Sequence, residues 1–241
     1  MIFSYDGTNF AGYQKQTNKR TVQEEIEKAL FKILEEKTNI VASGRTDVGV
    51  HAVEQNAHFD VNKKIKPEKL RMAINSLTDE DIYIKNIKEV SPEFHARFDV
   101  VKKEYQYVLN MDDFNVFERN HVYQHCKKLD INKMTEGAKH FIGKHNFVSF
   151  CKKDKNNNDY VRIIESVNIV QRDEKLYINF IGSGFLRYMV RNMVGLLIEI
   201  GSGKREPDEV EKILNNQDRR TSGVKAPGEG LYLKKVYYND K

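Results

Sequence analysis

Cysteine is scarce: Cys126 and Cys151 are the only two in 241 residues. Two cannot supply the disulfide framework of a small secreted domain, and a chain of this length buries an adequate core without one. With an opening that lacks a charged-then-apolar leader, this points to ordinary thiols in a reducing, cytoplasmic setting. Long apolar runs are missing too. The longest, such as residues 193–198, fall far short of the ~20 that span a bilayer, so a soluble protein with no membrane partner is expected. Nor does one sign of charge dominate. Forty Lys and Arg against 35 Asp and Glu leave +5, a bias that favours a polyanionic partner only where it is clustered. His51, His58 and Asp60 do not fall at metal-ligand spacing, so no metal is expected. What is present is a hydrophobic fraction of 39% beside a charged fraction of 31%, a globular composition with a heavily solvated surface.

Hydrophobic periodicity divides the chain into short strands and amphipathic helices. Residues 1–5 read as a strand running into the turn composition Asp6-Gly7-Thr8-Asn9. Thr21-Val22-Gln23-Glu24 has the pattern of a capping box, and Val22, Ile26, Leu30, Ile33 and Leu34 follow on one helical face. Strands are expected at 40–43 and 55–61 with a loop over 44–52 between them. A helix opening at Pro67 and a strand over 82–90 complete a βαββαβ-like first half. The second half offers a strand at 102–109, a helix at 132–142, a hairpin from 161–171 and 176–181, a helix at 185–200, a short one from Pro207 and a strand at 231–237. This is the pattern of an α+β protein built from two related units, residues 1–100 and 101–241. The run Lys152-Lys153-Asp154-Lys155-Asn156-Asn157-Asn158-Asp159 reads as a solvated loop in preference to an RNA-contacting one.

The segment Gly44-Arg45-Thr46-Asp47-Val48-Gly49-Val50-His51-Ala52 concentrates a cation, a hydroxyl and a carboxylate between two glycines. A loop held by flanking strands can present a carboxylate rigidly, and Gly49 would let a substrate approach the backbone. Spacing alone favours the plainer reading, a turn in which Asp47 bonds its own backbone. Tyr105 and Tyr107, on one face of an alternating strand, read as core residues in preference to site residues. Arg187 and Arg191, one helical turn apart, read as a solvated helix face.

The ordered set of motifs settles these alternatives, because it resembles the tRNA pseudouridine synthase A family over nearly the full chain. The matching pieces are Tyr5-Asp6-Gly7-Thr8-Asn9-Phe10 with Gly12-Tyr13-Gln14, Thr21-Val22-Gln23, the Gly44–Ala52 loop, and Phe94-His95-Ala96-Arg97-Phe98. Downstream come Tyr105-Gln106-Tyr107, His145-Asn146-Phe147, Met189-Val190-Arg191-Asn192-Met193-Val194-Gly195, and Ala226-Pro227 with Gly230-Leu231-Tyr232-Leu233. Each piece is weak alone, but chance rarely sets all of them in one order. The chain has no tryptophan, and Tyr13 stands where many family members carry one, so a planar amphipathic ring is retained.

The resemblance implies two ferredoxin-like halves sharing a continuous mixed, largely antiparallel sheet, with helices on one face and a central RNA-binding cleft. The first half, 1–100, would carry the catalytic aspartate loop and the second, 101–241, would complete the site. It implies that Asp47 is the nucleophile, Tyr105 the aromatic residue on the target base, Arg191 the basic partner of the aspartate, and Arg45 a group that helps displace the nucleotide from its stack. It implies a homodimer acting on uridines 38, 39 and 40 in the anticodon stem-loop of tRNA, with no cofactor. Such a set suits the chemistry: breaking N1–C1′ and rejoining through C5 involves no redox change. A carboxylate can attack or electrostatically support the electron-poor sugar carbon, as in retaining glycoside hydrolysis. The competing readings are a synthase with another RNA site, an RNA-binding protein without catalysis, and a small-molecule enzyme of the same α+β class.

Overall fold

The computed structural model describes residues 1–153 and 159–239. Of the polar run expected to form a solvated loop, residues 154–158 lie outside the described residues. The chain forms two compact units, one of Met1–Val101 with the segment from Tyr232 onward, the other of Lys102–Leu231. The first contains β1 (Ile2–Tyr5), α1 (Val22–Leu34), β2 (Val41–Ala42), β3 (His51–His58), α2 (Pro67–Leu77) and β4 (Ile82–Asn86). The second contains β5 (Val100–Asn110), β6 (Tyr123–Gln124), α3 (Ile131–Lys139), β7 (Gly143–Asn146), β8 (Val161–Arg172), β9 (Lys175–Gly182), α4 (Met189–Gly201) and α5 (Glu209–Asn216). The last strand, β10 (Leu231–Tyr238), returns to the first unit, so the unit boundaries fall inside β5 and β10. The class is α+β, with mixed and mostly antiparallel pairing.

Local chemistry accounts for the helices of the first unit. Thr21 sits in extended backbone and its hydroxyl accepts the Glu24 N–H at 3.4 Å, capping α1, while Glu24 and Glu25 in the first turn and Lys32 in the last complement the helix dipole. Val22, Ile26, Leu30 and Leu34 bury one stripe. Pro67 opens α2, where its missing N–H costs nothing, and Leu70 and Ile74 face inward. Phe3 and Tyr5 alternate inward along β1, and Ile82 and Ile84 along β4. Each such fully buried side chain contributes about 1.5–3 kcal/mol.

The strand order in this unit is β4-β1-β3, with β1 antiparallel to both neighbours. The other edge of β3 is divided: β2 pairs antiparallel at Ala57 and His58, and β10 pairs parallel at His51 and Ala52. At that second junction the His51 imidazole stacks on the Tyr232 ring, centroids 4.7 Å apart. The β4-β1-β3-β2 arrangement of a βαββαβ chain is ferredoxin-like. β3 begins at His51 and ends at His58, not over residues 55–61. The polar run Glu54-Gln55-Asn56 hides it from an apolar-alternation test, although Gln55 and Asn56 are buried.

The second unit repeats the theme. β9 lies between β5 and β8, antiparallel to each, and β7 pairs the outer edge of β8. Strand, helix, strand, strand (β5, α3, β8, β9) thus matches β1, α1, β2, β3 in order and pairing. Asp173-Glu174 closes the β8–β9 hairpin with Asp173 at φ 52°, the left-handed backbone that a two-residue turn demands. α4 buries residues on nearly every side and packs against α3. It starts at Met189 and not at residue 185: Tyr188, at φ 68°, breaks the helical path, so Phe185 and Arg187 precede the helix. No helix among the described residues is long and apolar enough to cross a membrane.

Candidate active site

The loop that carries Asp47 leaves β2 and returns as β3, and hydrogen bonds hold its flanks. The fully buried Gln55 is the central bracket. Its carboxamide oxygen accepts the Ser43 hydroxyl at 2.6 Å, and its nitrogen donates to the Gly44 carbonyl at 3.0 Å. Thr46 is buried, shares a 2.8 Å hydrogen bond with the Tyr5 hydroxyl, and its carbonyl accepts the Tyr13 N–H at 3.1 Å. Burial pushes the Tyr5 phenol up to about 12, against the opposing pull of Thr46 and Gln55, so it stays neutral and can serve only as a hydrogen-bonding group.

After Thr46 the chain turns sharply. The Val50 N–H donates to the Asp47 carbonyl at 3.2 Å and Gly49 takes φ 74°, the geometry of a turn that requires glycine at its third position. Asp47 thereby occupies the first corner, half-buried, with exposed Val48 at the tip and exposed Arg45 two residues before it. Gly12, at φ 94°, lies under the loop: a Cβ there would come 2.9 Å from the Thr46 carbonyl oxygen. The nitrogen Nδ1 of His51 accepts the Gly7 N–H at 3.0 Å, closing the far side. The carboxylate is presented from a backbone gripped by β1, by the 7–13 segment and by β3.

Two other expected site residues lie in the second unit. Tyr105 stands on β5 opposite Phe180 of β9, almost buried, with the Phe185 ring edge-on at 5.1 Å. Tyr107, two residues on, is fully buried and its hydroxyl donates to the Pro227 carbonyl at 2.9 Å, which ties it to packing. Arg191 lies in the first turn of α4. Its Nε donates to the Ala226 carbonyl at 2.8 Å, while the Ala226 N–H donates to the Arg191 carbonyl at 3.0 Å. This reciprocal latch orients the guanidinium. Beside it the Tyr188 ring gathers cations, with Lys225 Nζ 4.0 Å, Arg187 4.9 Å and Arg191 5.8 Å from the centroid. Nothing in the spacing of Tyr188, Lys225 or Gln55 marks them in the sequence.

A half-buried carboxylate on a locked turn, in an α+β fold whose units share one strand plan, defines a class, and comparison with known proteins supplies it. The profile of the tRNA pseudouridine synthase family matches residues 1–99 and 138–239, and the chain belongs to that family of isomerases. At the level of single proteins it is 44% identical over 239 residues to tRNA pseudouridine synthase A 1 of Bacillus cereus, covering 98% of this chain and 97% of that one. It is 45% identical over 240 residues to tRNA pseudouridine synthase A of Bacillus subtilis, with the same coverage. A chain from the crystal structure of a Cbf5-Nop10-Gar1 complex aligns over 83% of this chain and 54% of its own at 11% identity and a TM-score of 0.32, too distant to bear on the argument.

Proposed function

We propose that this protein isomerises uridine to pseudouridine in the anticodon stem-loop of tRNA, at positions 38, 39 and 40, with Asp47 as the nucleophile. The observation that carries the reading is the turn at Asp47: a carboxylate held on a constrained backbone, within the segment matched to the family. The ionised carboxylate displaces uracil from ribose C1′, the base turns in place, and C5 rejoins C1′ as the carboxylate departs. The proton lost from C5 balances the one taken up at N1. Nothing is oxidised and nothing is consumed, and no cofactor enters. The detached base is retained by the protein, with Tyr105 as the aromatic surface against it and Arg191 as the basic partner of Asp47.

Reaching a base inside a stem requires unstacking it, at a cost of a few kcal/mol supplied by contacts elsewhere on the RNA. Arg45, exposed two residues from Asp47, fills or braces the vacated stack in this reading. The family resemblance also supports a homodimer in which one tRNA contacts both subunits, working in the cytoplasm.

Incubating purified protein with unmodified tRNA transcript, without added cofactor, and mapping pseudouridine tests the reading directly. Product at 38–40 is expected, and product elsewhere would move the target site. Asp47→Ala is expected to abolish product, at least about a thousandfold down, with tRNA binding kept. Retained activity in that variant would remove Asp47 from the mechanism.

A further inference from the structure

The segment after β4 ends in a turn at His95–Asp99 that carries the most exposed aromatic side chain of the first unit. Phe98 is 74% exposed. Single exposed apolar residues are ordinary on protein surfaces; this one is distinguished by what holds it. The His95 imidazole stacks on the Phe98 ring, centroids 4.2 Å apart and planes 30° from parallel. The Arg97 guanidinium stands 5.8 Å from the same ring. The backbone beneath is closed on itself: His95 Nδ1 accepts the Arg97 and Phe98 N–H groups at 3.1 and 3.2 Å, and the Asp99 carboxylate accepts the His95 N–H at 3.0 Å. Ala96 at the centre is pinned from two strand ends. Its N–H donates to His58 Nδ1 at 3.0 Å, and its carbonyl accepts the Tyr238 hydroxyl at 2.7 Å.

A rigid ring backed by a second ring, open to water and flanked by a guanidinium, has the chemistry of a nucleobase platform: a π-face to continue a stack and a cation for the adjoining phosphate. We propose that Phe98, backed by His95 and flanked by Arg97, takes an unpaired base of the RNA substrate at a subsite separate from the Asp47 turn. The inference rests on the tRNA reading above. His58, which anchors the turn, is seven residues along β3 from His51, a rise of roughly 23 Å, so the stacked base is not the one that reacts. A paired base cannot offer its face, which directs the platform to a loop or an end of the RNA. Binding there adds to the affinity for the RNA without acting on the reacting base.

The absence of tryptophan makes the test direct, because Phe98→Trp introduces the only indole in the chain. Its emission is expected to be quenched on titration with a tRNA transcript. Phe98→Ala and Phe98→Leu are both expected to raise KM for tRNA about 5- to 150-fold, the loss of one base–aromatic stack, with kcat at saturating tRNA within about twofold of the parent. The exposed ring carries little of the core, so both variants are expected to fold. Three results would overturn the platform: unchanged KM in Phe98→Ala, a parental KM in Phe98→Leu with loss only in Phe98→Ala, or indole emission that follows protein concentration without RNA, which would mean a second copy covers the ring. Failure of the underlying reading looks different. The parent protein would then make no pseudouridine, and the indole titration with tRNA would still decide the platform.

Discussion

The hydroxyls of Tyr5 and Thr46 meet at 2.8 Å inside the first unit, 41 residues apart in sequence. This pair fixes the residue immediately before Asp47 to the first strand. The turn that presents the carboxylate therefore inherits the rigidity of the sheet, although it is formally a loop.

Breaking one side of that pair should cost more than removing both. Thr46→Val leaves the buried Tyr5 hydroxyl without this partner, a loss of about 1–3 kcal/mol. In the double variant Tyr5→Phe/Thr46→Val much of that loss should return. Urea unfolding of the three proteins measures the difference; a double variant as unstable as the sum of the singles would show that the pair is not coupled.

Gly12→Ala should damage catalysis from outside the site. The added methyl needs the space of the Thr46 carbonyl, and alanine resists φ 94°. Displacing the loop by a fraction of an ångström is expected to lower kcat at least about tenfold while tRNA binding holds. Equal kcat in parent and variant would mean the backbone position of the loop is not critical.

Tyr105 and Tyr107 should separate by the quantity they move. Tyr107→Phe removes the donor to the Pro227 carbonyl and should cost about 1 kcal/mol of stability without altering kcat. To the aromatic role proposed for Tyr105 we add that its hydroxyl assists removal of the C5 proton, so Tyr105→Phe should lower kcat about a hundredfold with little change in unfolding. Thermal midpoints and single-turnover rates on both variants distinguish the roles.

Acid should loosen the Phe98 turn. Burial, and next the neighbouring His95, depress the His58 pKa below its ordinary value of 6.5; the Met1 ammonium adds to this, while Asp60 and Asp99 oppose it. The fold therefore favours the neutral ring, whose Nδ1 accepts the Ala96 N–H. That stabilisation is complete above pH 6.5 and is lost as pH falls through the depressed value. The thermal midpoint should fall below pH 6.5, superimposed on a shallower decline from pH 8 that belongs to the Met1 ammonium, whose pKa burial lowers to about 6. His58→Asn, which keeps an acceptor but does not titrate, should flatten part of the fall; an identical profile would acquit His58.

Much of this architecture is legible in one sequence wherever a local rule governs. Thr21 and Glu24 mark the start of α1, Pro67 marks α2, and the break at Asp173-Glu174 marks the hairpin, because capping and turn chemistry act over three or four residues. α4 is misjudged by four residues, since Phe185 continues the apolar stripe while the left-handed backbone at Tyr188 leaves no periodic trace. β3 is displaced because Gln55 is buried to satisfy the Ser43 hydroxyl and the Gly44 carbonyl, a hydrogen-bonding role that hydropathy cannot register. For the candidate site, Gly44 to Gly49 display the composition of a functional turn. The partners that lock it, Tyr5, Tyr13 and Gln55, belong to long-range pairing that no spacing encodes.

The return of β10 to the first unit sets an order of events at the ribosome. The 101 residues that begin the chain emerge first, yet the edge of β3 at His51 and Ala52 stays unpaired until Tyr232 and Leu233 arrive. Parallel pairing across some 180 residues is slow to find. During that delay the strand leading out of the Asp47 turn is an open edge, the kind of surface that nascent chains expose to chaperones and to one another. The Asp47 turn is thus made some 180 residues before the strand that completes the sheet beside it.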